Sequence, residues 1–327
     1  MNKIALFDVK PYDRKWFDWA NNGKYDILYF EEKLSRNSIK LAEGIKVVCP
    51  FVNDDLSEEV LLELKKMGVQ LVAMRSAGYN NLNVKRASEL GIKAVRVPAY
   101  SPHAVAEHAM ALLLTLNRKT HKAYLRTRDF NFSLARLDGI DLYNKTVGVI
   151  GTGKIGRVFI DICKGFHMNV IAYDPYPDKS ADINYVSLDE LFEKSDVISL
   201  HCPLTESTKH IINEKSLSKM KDGVIIINTS RGALIDSEAL LGAIDAKKVG
   251  LAGLDVYEEE SDLFFEDNSD YIIRDDLLAL LISKPNVLIT SHQAFLTQEA
   301  LQSIAKTTID NIDEFFDGKK LTNEILP

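Results

Sequence analysis

Four side chains able to hold an anion or transfer a proton come directly after predicted strands in the second half of the chain. They follow the segments DVISL, GVIIINTS, VGLAGL and NVLITS, and are His201, Arg231, Asp255 and His292. Ligands of open parallel sheets gather at the carboxyl ends of the strands, so these residues are candidates for one site. An arginine holds a carboxylate with two parallel hydrogen bonds, and a histidine exchanges a proton near neutral pH. This combination suits the reduction of a 2-oxo acid, which needs a cation for the carboxylate and an acid for the carbonyl oxygen.

Two choices stay open at this level. Spacing alone does not decide whether His201 or His292 is the acid, because a lone histidine is often a core or loop residue. It also does not decide which of Glu258, Glu259 and Glu260 orients the imidazole and favours its charged form. For the arginine, the alternative is a surface salt bridge, which its place in the small-residue turn TSRGA makes less favoured.

A glycine-rich loop follows the predicted strand KTVGVI. The sequence GTGKIG places Gly151, Gly153 and Gly156 between this strand and an amphipathic helix. Gly151 permits a tight turn, Gly153 lets the backbone approach a pyrophosphate, and Gly156 permits close helix–strand packing. The start of the helix adds N–H groups and the positive end of the helix dipole. The loop therefore predicts a dinucleotide site.

An acidic residue ends the next predicted strand. MNVIAY is followed by Asp174, about 20 residues beyond the glycines, where a carboxylate can bind a ribose hydroxyl pair. The alternative is that Asp-Pro only begins a turn, but the place one strand after the loop favours the cofactor role. A carboxylate there also repels the 2′-phosphate of NADP, and no arginine follows in YDPYPDK. The sequence therefore favours NAD.

The elements that position these residues are predicted to form two parallel sheets. From residue 3 onward, the β-rich runs IALFDV, KVVCPF, VQLVAM and IKAVRV alternate with helical patterns such as SEEVLLELKKMG. The alternation pauses between Pro98 and Pro102, and then restarts for six further strands, from KTVGVI to NVLITSH. A domain boundary near residue 100 follows. The last segment, 297–316, has the spacing of an amphipathic helix and is expected to return to the first domain.

Composition excludes several classes of partner. With 46% hydrophobic and 27% charged residues the chain is globular, and its net charge of −7 argues against nucleic acids and anionic membranes. Cys49, Cys163 and Cys202 have no ligand spacing, so we expect no metal and a reducing, cytoplasmic location. The start MNKIALFDV lacks signal-peptide features, and the longest apolar stretch, 109–116, is too short to cross a membrane. A small molecule is the expected substrate.

Over essentially its whole length the chain resembles the D-isomer-specific 2-hydroxyacid dehydrogenase family, and within it the lactate branch. The matching segments are MRSAGYNN, VRVPAYSPHAVAEHA, GVIGTGKIG, ISLHCPLTESTKHIIN, VIIINTSRGALID, LDVYEEESDLFFED and VLITSHQAFLT. The resemblance implies reversible reduction of pyruvate to D-lactate with NADH. It also implies two similar doubly wound α/β domains, in which a Rossmann NAD-binding domain, 101–296, is inserted into a flavodoxin-like substrate domain, 1–100 and 297–327.

The resemblance further implies a role for each site residue. Arg231 would hold the substrate, His292 would be the general acid and Glu260 would keep it charged, although Ser261 follows Glu260 where many relatives have proline. The residues implied at the substrate are Ala77, Gly78, Tyr100 and Phe295. The residues implied at the cofactor are Gly151, Gly153, Lys154, Ile155, Gly156, Asp174, Cys202, Pro203, Thr208, Thr229, Ser230 and Asp255.

Two alternative functions stay open beside this interpretation, and an oligomeric state is also expected. The same family fold serves NAD-sensing corepressors, which usually carry disordered extensions that this sequence lacks. A larger 2-oxo acid is the other candidate substrate, although Phe51, Tyr100 and Phe295 favour a small pocket. The resemblance also implies a homo-oligomer, at least a dimer, with the apolar helix that begins at Ser101 as a candidate interface.

Overall fold

The structure, a computed structural model, describes residues 1–260 and 263–327, so Ser261 lies outside the described residues. The chain divides into two compact units. The first unit is Met1–Ser101 together with Leu296–Pro327, and the second is Pro102–Phe295. The second unit is therefore an insertion in the sequence of the first.

A five-stranded parallel sheet is the centre of the first unit. Its order, β2-β1-β3-β4-β5, is the flavodoxin-like order that the resemblance implied. The sequence pattern had missed β2, whose side chains are only partly buried at the edge of the sheet and so show no clear alternation. The strands are β1 Lys3–Leu6, β2 Asp26–Tyr29, β3 Val47–Cys49, β4 Leu71–Ala73 and β5 Lys93–Val95.

Three α-helices of the first unit lie between these strands, namely α1 Asp13–Asn21, α2 Glu58–Lys66 and α3 Val84–Glu89, together with the short 3-10 helix Ile39–Ala42. Helix α2 buries Val60, Leu61 and Leu64 in the core, as their helical spacing predicts. Strand β4 is buried along its whole length, and the loop that follows its carboxyl end contains Ala77 and Gly78.

A six-stranded parallel sheet is the centre of the second unit, in the order β11-β10-β9-β8-β6-β7. All six strands predicted from the sequence are present. Beyond β7, Tyr185 forms a single parallel bridge with Ala172, in the place that a full strand takes in dinucleotide-binding sheets. The strands are β6 Thr146–Ile150, β7 Asn169–Tyr173, β8 Val197–Leu200, β9 Val224–Asn228, β10 Val249–Leu254 and β11 Val287–Ile289.

Most helices of the second unit bury side chains in its core. The helices are α4 Pro102–Arg118, α5 Thr120–Arg128, α6 Lys154–Gly165, α7 Leu188–Lys194, α8 Glu214–Lys219, α9 Ser237–Asp245 and α10 Asp276–Ser283. Helix α4 buries Ala109, Leu113 and Leu116 in one core cluster with side chains of the sheet, and the subunit interface suggested for this helix by the sequence stays a prediction. Among the described residues, no helix is both long enough and apolar enough to span a bilayer.

The last helix, α11 Gln298–Phe316, belongs to the first unit. Its N-cap is Thr297, whose hydroxyl accepts the backbone N–H of Ala300 at 3.2 Å. Ala305, Ile309 and Ile312 pack in one cluster with core side chains of β1 and α1. The amphipathic face read from the sequence therefore completes the core of this unit.

Candidate active site

A histidine and a carboxylate form a close pair at the carboxyl edge of the second sheet. Nδ1 of His292, which follows β11, lies 2.7 Å from Oε1 of Glu260, which follows β10. The other oxygen, Oε2, accepts the backbone N–H of Tyr257 at 2.9 Å. Both side chains are about one-fifth exposed, at 19% and 18%. Because Nδ1 donates to the carboxylate and Nε2 has no partner among the described residues, the ring can hold a proton at Nε2 for transfer.

Backbone geometry fixes the direction of the imidazole. His292 has a φ of +52°, in the left-handed region, and its N–H donates to the carbonyl of Asp255 at 2.7 Å. The ring of Phe265 stands 5.8 Å from the imidazole, tilted by 32°. A strained residue held by such contacts is typical of functional sites.

The carboxylate of Asp255 organises the segment that carries the histidine. It is fully buried, and its oxygens accept the N–H groups of Gln293 at 2.9 Å and Ala294 at 2.8 Å, together with the hydroxyl of Thr290 at 2.5 Å. Nε2 of His108, on α4, lies 3.2 Å from the same carboxylate. These contacts make Asp255 a positioning residue for His292, whereas a direct cofactor contact remains a prediction.

Arg231 lies at the same edge of the sheet, in the turn after β9. Its Nη1 donates to the carbonyl of Ser230 at 2.6 Å, and its own carbonyl accepts Nδ2 of Asn228 at 2.9 Å. No carboxylate among residues 1–260 and 263–327 forms an ion pair with this guanidinium. Within the described part of the chain the arginine thus has no salt bridge that would explain it, and its remaining N–H groups are available to an anion.

The three glutamates that spacing could not separate have different surroundings. Glu260 contacts His292, and Oε1 of Glu258 lies 2.6 Å from Nε2 of His210. Glu259 is exposed. The resemblance had selected Glu260, and the geometry around the imidazole is consistent with that choice.

The other candidate histidine occupies an environment unsuited to an acid. Nε2 of His201 lies 2.9 Å from the Ser199 hydroxyl, its ring packs 4.9 Å from that of Phe159, and its Nδ1 is buried without a partner in the described part of the chain. Burial lowers the pKa of His201 to about 3, which keeps the ring neutral near pH 7. It is therefore a packing residue beneath the glycine loop.

The glycine loop has the tight geometry that a pyrophosphate cradle requires. Gly151 has a φ of +94°, and a Cβ on it would come within 2.7 Å of the His201–Cys202 backbone. A Cβ on Gly156 would come within 2.0 Å of the Gly151 carbonyl, whereas Gly153 faces open space. Helix α6 starts at Lys154 without a side-chain cap, so its first N–H groups are available to an anion.

Asp174 stands at the end of β7 beside this loop. Its Oδ2 accepts the N–H of Thr152 at 2.8 Å and the Thr152 hydroxyl at 2.9 Å, and Oδ1 accepts the N–H of Tyr176 at 2.9 Å. Partial burial alone would raise the pKa of Asp174, but these hydrogen bonds outweigh it and lower the pKa. The group stays ionised at neutral pH, which suits a ribose diol and disfavours a 2′-phosphate.

The remaining cofactor candidates line the ends of β8 and β9. Thr229 has a buried hydroxyl with no hydrogen-bond partner among the described residues, which is the kind of orphaned polar atom that a ligand satisfies. Ser230 already donates to the Leu200 carbonyl at 3.0 Å, and Thr208 to the Pro203 carbonyl at 2.7 Å. Cys202 is buried. Together with the loop and Asp174, the free Thr229 hydroxyl shows that this edge fits NAD.

The substrate candidates of the first unit lie in the loop after β4. The carbonyl of Ala77 accepts Nη1 of Arg96 at 2.9 Å, and that of Gly78 accepts the Ser76 hydroxyl at 2.7 Å. The N–H groups of Ala77 and Gly78 meet no acceptor within the described ranges, so they can hold a carboxylate. Tyr100 is partly buried in this unit and Phe295 in the other.

Several positioning residues were not found from the sequence. Thr290, His108 and Tyr257 all hold the histidine–carboxylate pair or its supporting aspartate, two of them through the side chain and Tyr257 through its backbone N–H. Thr290 precedes the histidine by two residues and was visible as a polar residue at a strand end. No sequence signal marks a backbone donor or a histidine on a distant helix.

Comparison with known proteins places this architecture among dehydrogenases. A family model described as D-isomer specific 2-hydroxyacid dehydrogenase, NAD binding domain, matches residues 110–294. A 2-hydroxyacid dehydrogenase homolog of Haemophilus influenzae is 52% identical over 99% of each chain, and the D-lactate dehydrogenase of Escherichia coli is 51% identical over 99% of this chain and 100% of that protein. The solved pyruvate reductase of Chlamydomonas reinhardtii matches with a TM-score of 0.94 and 42% identity, covering 99% of this chain and 98% of that one.

Proposed function

The chain belongs to the D-isomer-specific 2-hydroxyacid dehydrogenase family and is an NAD-dependent oxidoreductase, and we propose that it reduces pyruvate to D-lactate with His292 as the proton donor. The observation that carries the proposal is the hydrogen-bonded pair of His292 and Glu260, on the sheet edge that also carries Arg231. The histidine, held by a carboxylate, can give a proton to a carbonyl oxygen. The arginine, which has no carboxylate partner among the described residues, can bind the carboxylate of a substrate, so the site suits an anionic carbonyl compound.

Arg231 binds and orients the substrate in this proposal. Its guanidinium has the planar fork that holds a carboxylate with two parallel hydrogen bonds. This contact is made to the carboxylate alone and leaves the neighbouring carbonyl group free to react. Holding the substrate by one end determines which face of the carbonyl is presented.

His292 transfers the proton. When bound, NADH supplies the hydride that reduces the carbonyl carbon. The proton held at Nε2 then moves to the carbonyl oxygen, which becomes the hydroxyl of D-lactate. Glu260 accepts the N–H of the opposite ring nitrogen and stabilises the cationic ring before the transfer. In the reverse direction the neutral ring accepts the proton, so one residue serves both directions.

Pyruvate is favoured over larger 2-oxo acids by two relatives. The E. coli protein is a D-lactate dehydrogenase, and the Chlamydomonas protein is a pyruvate reductase. Of the aromatic residues that suggested a small pocket, Phe51 is 5% exposed and stacks 4.7 Å from the guanidinium of Arg75, which restricts its movement. The assignment is tested by comparing kcat/KM with NADH for pyruvate, 2-oxoisocaproate and phenylpyruvate. A higher value for either larger acid would identify that acid, and not pyruvate, as the substrate.

A homo-oligomer is also proposed, supported by an exposed apolar segment in the second unit. Helix α5 and the chain after it expose Tyr124, Leu125, Phe130, Phe132 and Leu134 by 60% or more. Apolar groups clustered in this way are typical of subunit interfaces. Analytical ultracentrifugation of the wild type and of Phe130→Ser/Phe132→Ser tests it: a dimer that the double variant splits supports the interface.

We place the enzyme in the cytoplasm, in keeping with three free, buried cysteines.

A further inference from the structure

A second histidine–carboxylate pair lies beside the proposed catalytic one and has no part in the reaction as described. Nε2 of His210 lies 2.6 Å from Oε1 of Glu258, with side chains 34% and 22% exposed. Glu258 is two residues before Glu260. A hydrogen bond to a carboxylate is shorter and stronger than one between two neutral groups, and partial burial strengthens it further.

Glu258 joins three segments of the second unit. Its other oxygen, Oε2, accepts the hydroxyl of Ser237, the first residue of α9, at 3.2 Å. His210 is itself fixed, because its N–H donates to the Ala233 carbonyl at 2.9 Å and its carbonyl accepts Nδ2 of Asn213 at 2.7 Å. The Glu258 side chain thus ties the turn 257–260 to two rigid neighbours.

The same turn is packed against the chain next to Arg231. A Cβ on Gly232 would lie 2.0 Å from the carbonyl carbon of Tyr257 and 2.4 Å from the nitrogen of Glu258, so the two backbones are in direct contact. The Tyr257 N–H in turn holds Oε2 of Glu260. Because Glu258 directly follows Tyr257, and the Tyr257 carbonyl is packed against Gly232, a movement of Glu258 displaces Tyr257 and with it the N–H that directs Glu260.

We propose that Glu258, held by His210 and Ser237, is a positioning residue that keeps Glu260 directed at His292. The proposal rests on the function assigned above. It makes the two carboxylates distinct in role: Glu260 contacts the imidazole, and Glu258 acts only through Glu260. A shift of about 1 Å in a positioned group is enough to lower a rate by roughly 10²-fold, and a partial shift costs less.

The variants are Glu258→Gln, His210→Gln and, as matched control, Glu259→Gln at the exposed neighbour. We expect the first two to lower kcat for pyruvate reduction by roughly 10-fold at unchanged Kd for NADH, since the cofactor cradle is untouched. Glu259→Gln should stay near wild type. In a Glu260→Gln background, Glu258→Gln should cost little more, because its effect passes through Glu260.

A readout without turnover separates this proposal from the assigned substrate. The ¹⁵N signals of the His292 ring, identified by their loss in His292→Gln, report its tautomer and its bond to Glu260. Glu258→Gln and His210→Gln should move these signals, and Glu259→Gln should leave them in place. Immobile signals, or losses in kcat that simply multiply in the double variant, would overturn the positioning role even if the enzyme reduces pyruvate. Moving signals in an enzyme that ignores pyruvate would overturn only the substrate.

Discussion

Nδ1 of His292 and Oε1 of Glu260 are 2.7 Å apart, while the second oxygen of that carboxylate is held by the Tyr257 N–H. The carboxylate therefore cannot rotate away without losing a backbone hydrogen bond. Its negative charge stabilises the protonated ring, which is the form that gives up a proton in the direction of reduction.

Replacing Glu260 by Gln should thus slow reduction. We expect kcat for pyruvate reduction to fall by roughly 10-fold or more, because the amide keeps the shape of the carboxylate but carries no charge to stabilise the cationic ring. Initial rates at saturating NADH measure the effect. A kcat near the wild-type value would remove the charge-stabilising role.

The cofactor preference should depend on Asp174. Its hydrogen bonds lower its pKa, so it carries its charge throughout the neutral range. Asp174→Ala should reduce the ratio of kcat/KM for NADH to that for NADPH by roughly 10-fold or more, since the repulsion of a 2′-phosphate disappears. Asp182→Ala, a fully exposed acid in the same segment, is the control. An unaltered ratio in Asp174→Ala would assign the selectivity elsewhere.

Arg231 should matter through its shape as well as its charge. Arg231→Lys keeps a cation but loses the planar fork, and we expect kcat/KM for pyruvate to drop by roughly 10-fold to 100-fold, the usual range for one charged hydrogen bond. Binding of NADH, followed by fluorescence, should change little. If the lysine variant binds and reduces pyruvate as well as wild type, a bidentate contact is not made.

Burial of His201 predicts a defined acid limb of stability. Its pKa in the folded protein is about 3, against an ordinary value near 6.5, so the unfolded chain takes up a proton first as the pH falls. Stability is then lost between about pH 6.5 and pH 3, by at most about 2 kcal/mol from pH 7 to pH 5. Between pH 7 and pH 5, the free energy of unfolding measured in urea should fall less for His201→Gln than for wild type. The exposed-site control His103→Gln should behave like wild type. Parallel curves would contradict a neutral buried ring.

Much of the architecture was predictable because local pattern and position agree. Strands buried on both faces, such as β9, have continuous apolar sequences. Gly151 and Gly156 are required in the loop because a Cβ on them would come within 2.7 Å and 2.0 Å of neighbouring backbone atoms. Edge strand β2 and the single bridge at Tyr185 were not predicted, since each buries too few side chains to produce a recognisable hydrophobic pattern in the sequence. Spacing did not distinguish the three adjacent glutamates, because the histidine that each side chain contacts is decided by folding: His210 for Glu258, and His292 for Glu260.

The most direct test of the whole account is single-turnover reduction of pyruvate by His292→Gln. Gln cannot protonate the alkoxide, so the rate of the chemical step should fall by roughly 10²-fold to 10⁴-fold, the range for general acid catalysis, while the Kd for NADH stays near wild type. Such a loss with cofactor binding retained is the result the account predicts. A chemical step within a few-fold of wild type would contradict it, because His292 would then not be the proton donor.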